Sequence, residues 1–191
     1  MKCDPTHKEL RRLSIVKDPG GKSRIIAIFD YWTQTSLRPL HLFVLRHLSV
    51  WFKGTDMSTN QMGFDPHRPF APFYSFDLTS ATDRFPISFQ REVLGMLIGE
   101  RPARAWERIL VSLPFYVPWT REYVKYRAGQ PMGAYTSWVI FALCHHLVVR
   151  VAGYHIHKHY NFDQYFILGD DIVIWGDEKV AKEYNRLMSV V

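Results

Sequence analysis

Cysteine is scarce in this chain of 191 residues, with only Cys3 and Cys144 present. Two thiols close at most one bridge, and nothing in their spacing suggests a disulfide framework or a four-ligand zinc site, so a reducing compartment fits best. There is no Gly/Ser linker, low-complexity tract or internal repeat, so boundaries must be read from changes of pattern. The N-terminal Met1-Lys2-Cys3-Asp4-Pro5 has neither the apolar core of a secretory signal nor an Arg-rich amphipathic stretch, and no cleavable targeting segment is expected. The most apolar run, residues 138–152, is interrupted by His145, His146 and Arg150. It is shorter than the roughly 20 residues of a bilayer-spanning helix. A buried helix, with no membrane insertion, is expected.

What the chain does have is a large apolar fraction, 47%, enough for a sizeable core. Its 24 Lys and Arg outnumber 18 Asp and Glu, a formal charge of +6 that favours an anionic polymer as partner. A merely solvated basic surface would give the same count.

Residues 13–16 and 24–28 read as short strands around the turn Asp18-Pro19-Gly20-Gly21. Pro39 is expected to open a helix carrying Leu40, Val44, Leu48 and Trp51, with Gly54 as its stop. Residues 55–69 lack periodicity and read as loop, and a boundary is placed around residues 66–72. Beyond it, residues 72–77 form a strand ending in Asp77. A helix follows with Ser88 available as cap and Val93, Leu94, Leu97 and Ile98 on one face. A second helix is expected from Pro102, carrying Trp106, Ile109 and Leu110. The loop Gly129-Gln130-Pro131-Met132-Gly133 feeds the apolar helix, which is expected to end near Gly153. Two strands, residues 165–168 and 172–175, flank Gly169-Asp170-Asp171, and a final amphipathic helix starts at Asp177. Strands and helices alternate without a steady βαβ rhythm, so the fold class is α+β.

Adjacent acids in the turn of an apolar hairpin repel one another, and a divalent cation removes that cost. Phosphoryl transfer to a hydroxyl uses two such cations bridged by carboxylates from separate parts of the chain. Asp77, ending another hydrophobic strand, is the natural partner of Asp170 and Asp171. Three carboxylates without a cysteine suit Mg²⁺ or Mn²⁺. An isolated Gly-Asp-Asp is more often an ordinary hairpin turn; the apolar flanks and Asp77 favour the site. His155, His157 and His159 alternate and would line one side of a strand as metal ligands, but no cysteine or further acid completes a zinc set, and a solvated cluster is the preferred reading. His145 and His146 read as core or boundary histidines. The six Trp and ten Tyr are mostly assigned to the core, although any exposed ones could stack on bases.

Three ordered segments resemble motifs A, B and C of RNA-dependent RNA polymerases: Phe76-Asp77-Leu78-Thr79-Ser80-Ala81-Thr82-Asp83-Arg84, Gly129-Gln130-Pro131-Met132-Gly133-Ala134-Tyr135-Thr136-Ser137-Trp138, and Leu168-Gly169-Asp170-Asp171. Lys17-Asp18-Pro19-Gly20-Gly21-Lys22-Ser23-Arg24 and Asp30-Tyr31-Trp32-Thr33-Gln34 resemble an upstream finger motif. The wording is most similar to mitoviruses and to their relatives in plant mitochondria and plant genomes, over nearly the whole chain. The resemblance implies a palm, an antiparallel sheet with packed helices, over residues 71–191 and a partial fingers segment over residues 1–70.

It also implies roles. Asp77 and Asp170 would be the principal metal ligands with Asp171 in support, and Asp83 would accept a hydrogen bond from the ribose 2′-hydroxyl. Ser137 would support the sugar, and Gly133 would let backbone approach template or nucleotide. Lys22 and Arg24, alternating along a strand, would meet the triphosphate, with Lys17 and Arg12 as weaker members of that patch. Phe141 stands where many viral motifs B carry an asparagine, so sugar discrimination cannot use the same hydrogen-bond pair. The implied partners are RNA template and product and nucleoside triphosphates, and the implied location is mitochondrial.

Family polymerases are several times longer. The motif D lysine, motif E and a thumb are expected beyond Val191, so the isolated chain is not expected to be a processive polymerase. Two readings stay open: a polymerase palm that works within a longer or split protein, and a catalytically inactive viral-derived remnant with at most RNA-binding ability. Reverse transcription is disfavoured by Asp83 and by Leu168 where a tyrosine would precede the turn.

Overall fold

The computed structural model describes residues 10–18, 20–57 and 71–191. Cys3, Pro19, most of the expected 55–69 loop and residues 66–70 of the expected boundary lie outside the described residues. By contacts the chain groups into two compact units, Met1–Pro39 with Thr82–Ser137, and Leu40–Ala81 with Trp138–Val191.

The first unit is built on a four-stranded sheet of order β2-β1-β4-β5. β1 (Arg12–Lys17) and β2 (Ser23–Ile28) pair antiparallel as expected, from Arg12↔Ile28 to Lys17↔Ser23. Their turn closes with the Gly21 N–H donating to the Asp18 carbonyl at 2.9 Å, Gly21 taking φ +77°. β4 (Phe115–Val117) joins β1 in parallel, and β5 (Glu122–Val124) completes a hairpin that the sequence did not announce. Alternation sends Leu13, Ala27, Phe115 and Val117 into the core.

The same unit holds α3 (Ile87–Ile98) and α4 (Glu100–Val111). Ser88 does not cap α3: it lies inside the helix, Pro86 occupies the cap position, and the Ile87 N–H donates instead to the Ala128 carbonyl at 2.9 Å. α4 begins two residues before the expected Pro102, because a proline is tolerated in a first turn, where its missing N–H has no helical partner to lose. Trp106 reaches from α4 to donate its indole N–H to Thr136 Oγ1 at 2.8 Å.

The helix expected from Pro39 is longer: α1 runs Tyr31–Trp51 with Pro39 inside it. Asp30 nucleates it early, accepting from the Thr33 N–H at 2.9 Å and from the Thr33 hydroxyl at 2.6 Å. Gly54, φ +82°, follows its end as expected.

The second unit carries the sheet β3-β7-β6, all antiparallel: β3 (Phe73–Asp77), β6 (Tyr165–Leu168) and β7 (Asp171–Trp175). α5 (Ser137–His157) is 21 residues long, and its apolar window is 67% buried, as expected of a core helix. It does not stop at Gly153. That glycine is interior to the helix, and it is needed because the Phe162 ring packs directly on its Cα, where a side chain would collide. α6 (Glu178–Met188) is capped by Asp177, whose carboxylate accepts from the Val180 N–H at 3.0 Å. The fold is α+β, as its sequence pattern implied.

Candidate active site

Asp77 closes β3 and Asp171 opens β7, and the ladder pairs them as direct cross-strand partners. Opposed residues of an antiparallel pair point to the same face with Cβ atoms about 5 Å apart, so two carboxylates stand side by side at one end of the sheet. Asp170 sits next to them in the two-residue β6–β7 turn. All three are exposed, while Tyr165, Ile167, Ile172 and Ile174 anchor the strands in the core. The register places Asp171, the expected supporting acid, opposite Asp77. Like charges so opposed destabilise a sheet unless a cation lies between them. Among the described residues no three His, Cys, Asp or Glu side chains close a metal site unaided. A facing carboxylate pair nevertheless fits Mg²⁺, which keeps waters and takes further oxygens from substrate phosphates.

The turn itself is held from behind. Gly169 alone of its two residues has a positive φ, +65°, the pattern of a type II′ hairpin. Its carbonyl accepts from His145 Nδ1 at 3.0 Å, and His145 Nε2 meets the Tyr184 hydroxyl of α6 at 2.8 Å. Because a carbonyl only accepts, Nδ1 carries the proton and Nε2 accepts from Tyr184. Burial pushes His145 down to about 4, against the opposing pull of the Gly169 carbonyl, so the ring is neutral at physiological pH. One helical face thus presents Trp138, which packs over Gly169, and His145 two turns later.

Next to it His146 is also fully buried, stacked on Phe52 at 4.2 Å and bonded to the Tyr165 hydroxyl at 3.0 Å, with Nε2 facing Asp56 at 3.4 Å. Burial lowers its basicity, while Asp56 opposes the shift. The pair of core histidines is therefore satisfied, as expected, but the role of His145 behind the acidic turn had no signal in sequence.

The other expected site residues lie in the first unit. Asp83 belongs to the short helix α2 (Ala81–Arg84), and desolvation raises its carboxyl above the usual range although the residue remains exposed. The Asp83 carbonyl accepts from the Gly129 N–H at 3.0 Å and the Thr82 carbonyl from the Gln130 N–H at 2.8 Å. A Cβ at Gly129 would strike that backbone, so glycine is required for the two segments to meet. Burial, and after it the Asp83 charge, pushes Tyr126 up to about 12.

Gly133, φ +122°, does make a close backbone approach, but to the Ala27 carbonyl of β2. Gln34, from the expected finger motif, bonds the Gly133 carbonyl through Nε2 at 2.7 Å and accepts from the Tyr135 N–H at 3.0 Å. Ser137 is 3% exposed and its hydroxyl has no hydrogen-bond partner. Beside it the buried Gln130 donates Nε2 to the Ser137 carbonyl at 2.7 Å and to Gln90 Oε1 at 2.6 Å, leaving its own Oε1 unpartnered. Gln130 and Gln90 were missed as a pair, since polar residues 40 positions apart carry no shared pattern.

Lys22 and Arg24 are exposed, and Arg24 pairs with Asp18 at 3.2 Å. The register puts Arg12 and Arg24 on one sheet face and Lys17 on the other. The three alternating histidines do not line a strand. His155 and His157 occupy the last turn of α5 and bond Glu183 and Asp177, each at 2.6 Å. Arg186 and His155 together pull the Glu183 carboxyl down to about 2.

These geometries place the chain in a class. Across 93% of its length it superposes on 46% of an apo telomerase from Candida tropicalis, truncated from its C-terminal domain, with a TM-score of 0.57 at 10% identity, a likeness of fold that is of polymerase-palm type. Residues 1–191 match the Mitovirus RNA-dependent RNA polymerase family, and the chain belongs to it. It is 40% identical over 191 residues to the RNA-directed RNA polymerase of Cryphonectria parasitica mitovirus 1, covering 94% of this chain and 22% of that protein. Two uncharacterized mitochondrial proteins of Arabidopsis thaliana are 39% identical over 123 residues and 41% over 122. These alignments cover 61% and 60% of this chain and 49% and 59% of the plant proteins.

Proposed function

We propose that the chain supplies the palm, residues 71–191, and part of the fingers, residues 1–70, of an RNA-directed RNA polymerase. The observation that carries this reading is the register pair Asp77↔Asp171 beside the Asp170 turn, in a chain of this family. Mg²⁺ or Mn²⁺ bound there would neutralise the carboxylates, activate an RNA 3′-hydroxyl and hold the triphosphate. Asp77, Asp170 and Asp171 supply the oxygen donors. Lys22 and Arg24 meet the phosphates of the incoming nucleotide, and Asp83, whose raised carboxyl retains a proton more readily, faces the ribose hydroxyls as donor or acceptor. Ser137 and Gly133 support the sugar side. Mitochondria are the proposed site of action, a reading supported by the two plant relatives, which are mitochondrial proteins.

A second reading is a catalytically silent chain that retains RNA binding, which the formal charge of +6 alone would support. Primer extension on an RNA template with Mg²⁺, alongside Mn²⁺ titration followed by its electron paramagnetic resonance signal, separates the two. Extension and Mn²⁺ binding that are both lost in Asp77→Asn and Asp170→Asn support the polymerase. RNA binding with neither activity nor Asp170-dependent Mn²⁺ uptake establishes the silent chain.

A further inference from the structure

The sheet of the first unit has a face that neither the carboxylates nor the core uses. Register partners run straight across it: Ile28 of β2, Arg12 of β1, Tyr116 of β4 and Tyr123 of β5. Because partners share a face, this row stands opposite the buried Leu13, Ala27, Phe115 and Val117. At about 4.8 Å between strands the row spans about 14 Å, room for a few unstacked bases. The two phenol rings lie 5.4 Å apart, and Tyr123 is 49% exposed. Arg121 and Lys125, both exposed, bracket Tyr123 two residues to either side. Along the same face toward the β1–β2 turn comes Arg24, paired with Asp18, and Lys22 follows in the turn itself. Among the described strand residues of this face none is acidic; the nearby Glu122 belongs to the opposite register.

Aromatic rings interleaved with cations on a sheet face whose described strand residues include no acid match the two needs of an unpaired nucleic acid strand, surfaces on which bases stack and positive charge along the phosphates. We propose that this face binds single-stranded RNA, with Tyr116 and Tyr123 stacking on bases and Arg12, Arg121 and Lys125 meeting phosphates. The inference rests on the polymerase reading for the source of the strand, but binding here needs neither the acidic turn nor a metal.

The test is fluorescence anisotropy of the 191-residue chain with a short labelled oligouridine and with a duplex of equal length, in chelator, across a salt series. Tyr116→Ala and Tyr123→Ala should each weaken single-strand binding about five- to a hundredfold, while Tyr→Phe at either position stays within about threefold because the ring remains. Arg121→Gln and Lys125→Gln disturb no packed side chain, and each should reduce the slope of log affinity against log salt by about 0.7. The proposal is overturned if folded alanine variants bind like the parent, if the glutamine variants leave the salt slope unchanged, or if duplex binds as tightly as single strand. It is also overturned if sedimentation shows the tyrosines holding a second copy of the chain instead. Loss of the Mn²⁺ dependence on Asp170 would sink the polymerase reading alone.

Discussion

Removing the His145 imidazole tests whether the acidic turn is held from the helix behind it. In His145→Leu the buried Gly169 carbonyl and Tyr184 hydroxyl both lose their partner. Each buried polar group left unsatisfied costs about 1–3 kcal/mol, so a loss of about 2–6 kcal/mol is expected. Tyr184→Phe removes only the donor to Nε2 and should cost about 1–2 kcal/mol. His145→Asn keeps an N–H for the Gly169 carbonyl and removes the titration, which gives a second, independent readout. The native ring, held down at about 4, takes up fewer protons than an unfolded histidine near 6.5. Between those values the unfolded chain binds the extra proton, so stability falls as pH is lowered through that window and is unaffected above it. The parent should therefore lose about 2 kcal/mol relative to His145→Asn on going from pH 7.5 to 5. His146, shifted in the same direction, is present in both proteins and drops out of the difference. Urea unfolding followed by tryptophan fluorescence at the two pH values measures it. A difference between parent and His145→Asn that does not change with pH would refute the buried, neutral ring described above.

Two glycines give predictions with opposite signs from those of propensity. Gly153→Ala would ordinarily stabilise a helix interior by about 1 kcal/mol, but the Phe162 ring occupies the space. Overpacking costs about 1–3 kcal/mol, so the thermal midpoint should fall; a rise would show that the ring yields freely. Gly129→Ala drives a Cβ into the Thr82 and Asp83 backbone, which cannot swing aside as a side chain tip can. Its cost should exceed that of Gly153→Ala, with circular dichroism on heating as the measure. At Lys22 and Arg24, both exposed, changing the pair to Gln should weaken retention of a nucleoside triphosphate in equilibrium dialysis while moving unfolding stability by less than about 0.5 kcal/mol.

Much of the architecture could be read from local pattern. Short apolar runs flanking the residue 18–21 turn located β1 and β2, apolar runs beside the Gly-Asp-Asp located β6 and β7, and Asp177 marked the start of α6. The failures have a common cause, in that a residue with a strong local preference was overruled by a distant partner. Gly153 was taken for a stop because glycine ends helices, yet Phe162 claims it for close packing. Pro39 was taken for a start, although Asp30 had already opened the helix. Ser88 lost the cap position to the Ala128 carbonyl. β4 and β5 are three residues each, too short for periodicity, and exist through pairing, β4 with β1 and β5 with β4. In the candidate site the carboxylates stood out as residue types. What surrounds them did not: the hydrogen bonds of His145, His155 and His157 all end on residues from other elements.

The Asp77↔Asp171 pairing makes the β3–β7 ladder a residue counter. Side chains alternate faces with every step, so one residue inserted into or deleted from β3 or β7 carries an acid to the reverse side of the sheet while leaving composition and motif spelling nearly intact. Gene copies drifting without selection accumulate such single-codon slips as readily as substitutions. A copy that spells all three acids can still have lost the pair. Counting from Phe73 to Asp77 against Asp171 to Trp175, five residues facing five, distinguishes an intact pair from a broken one before any protein is made.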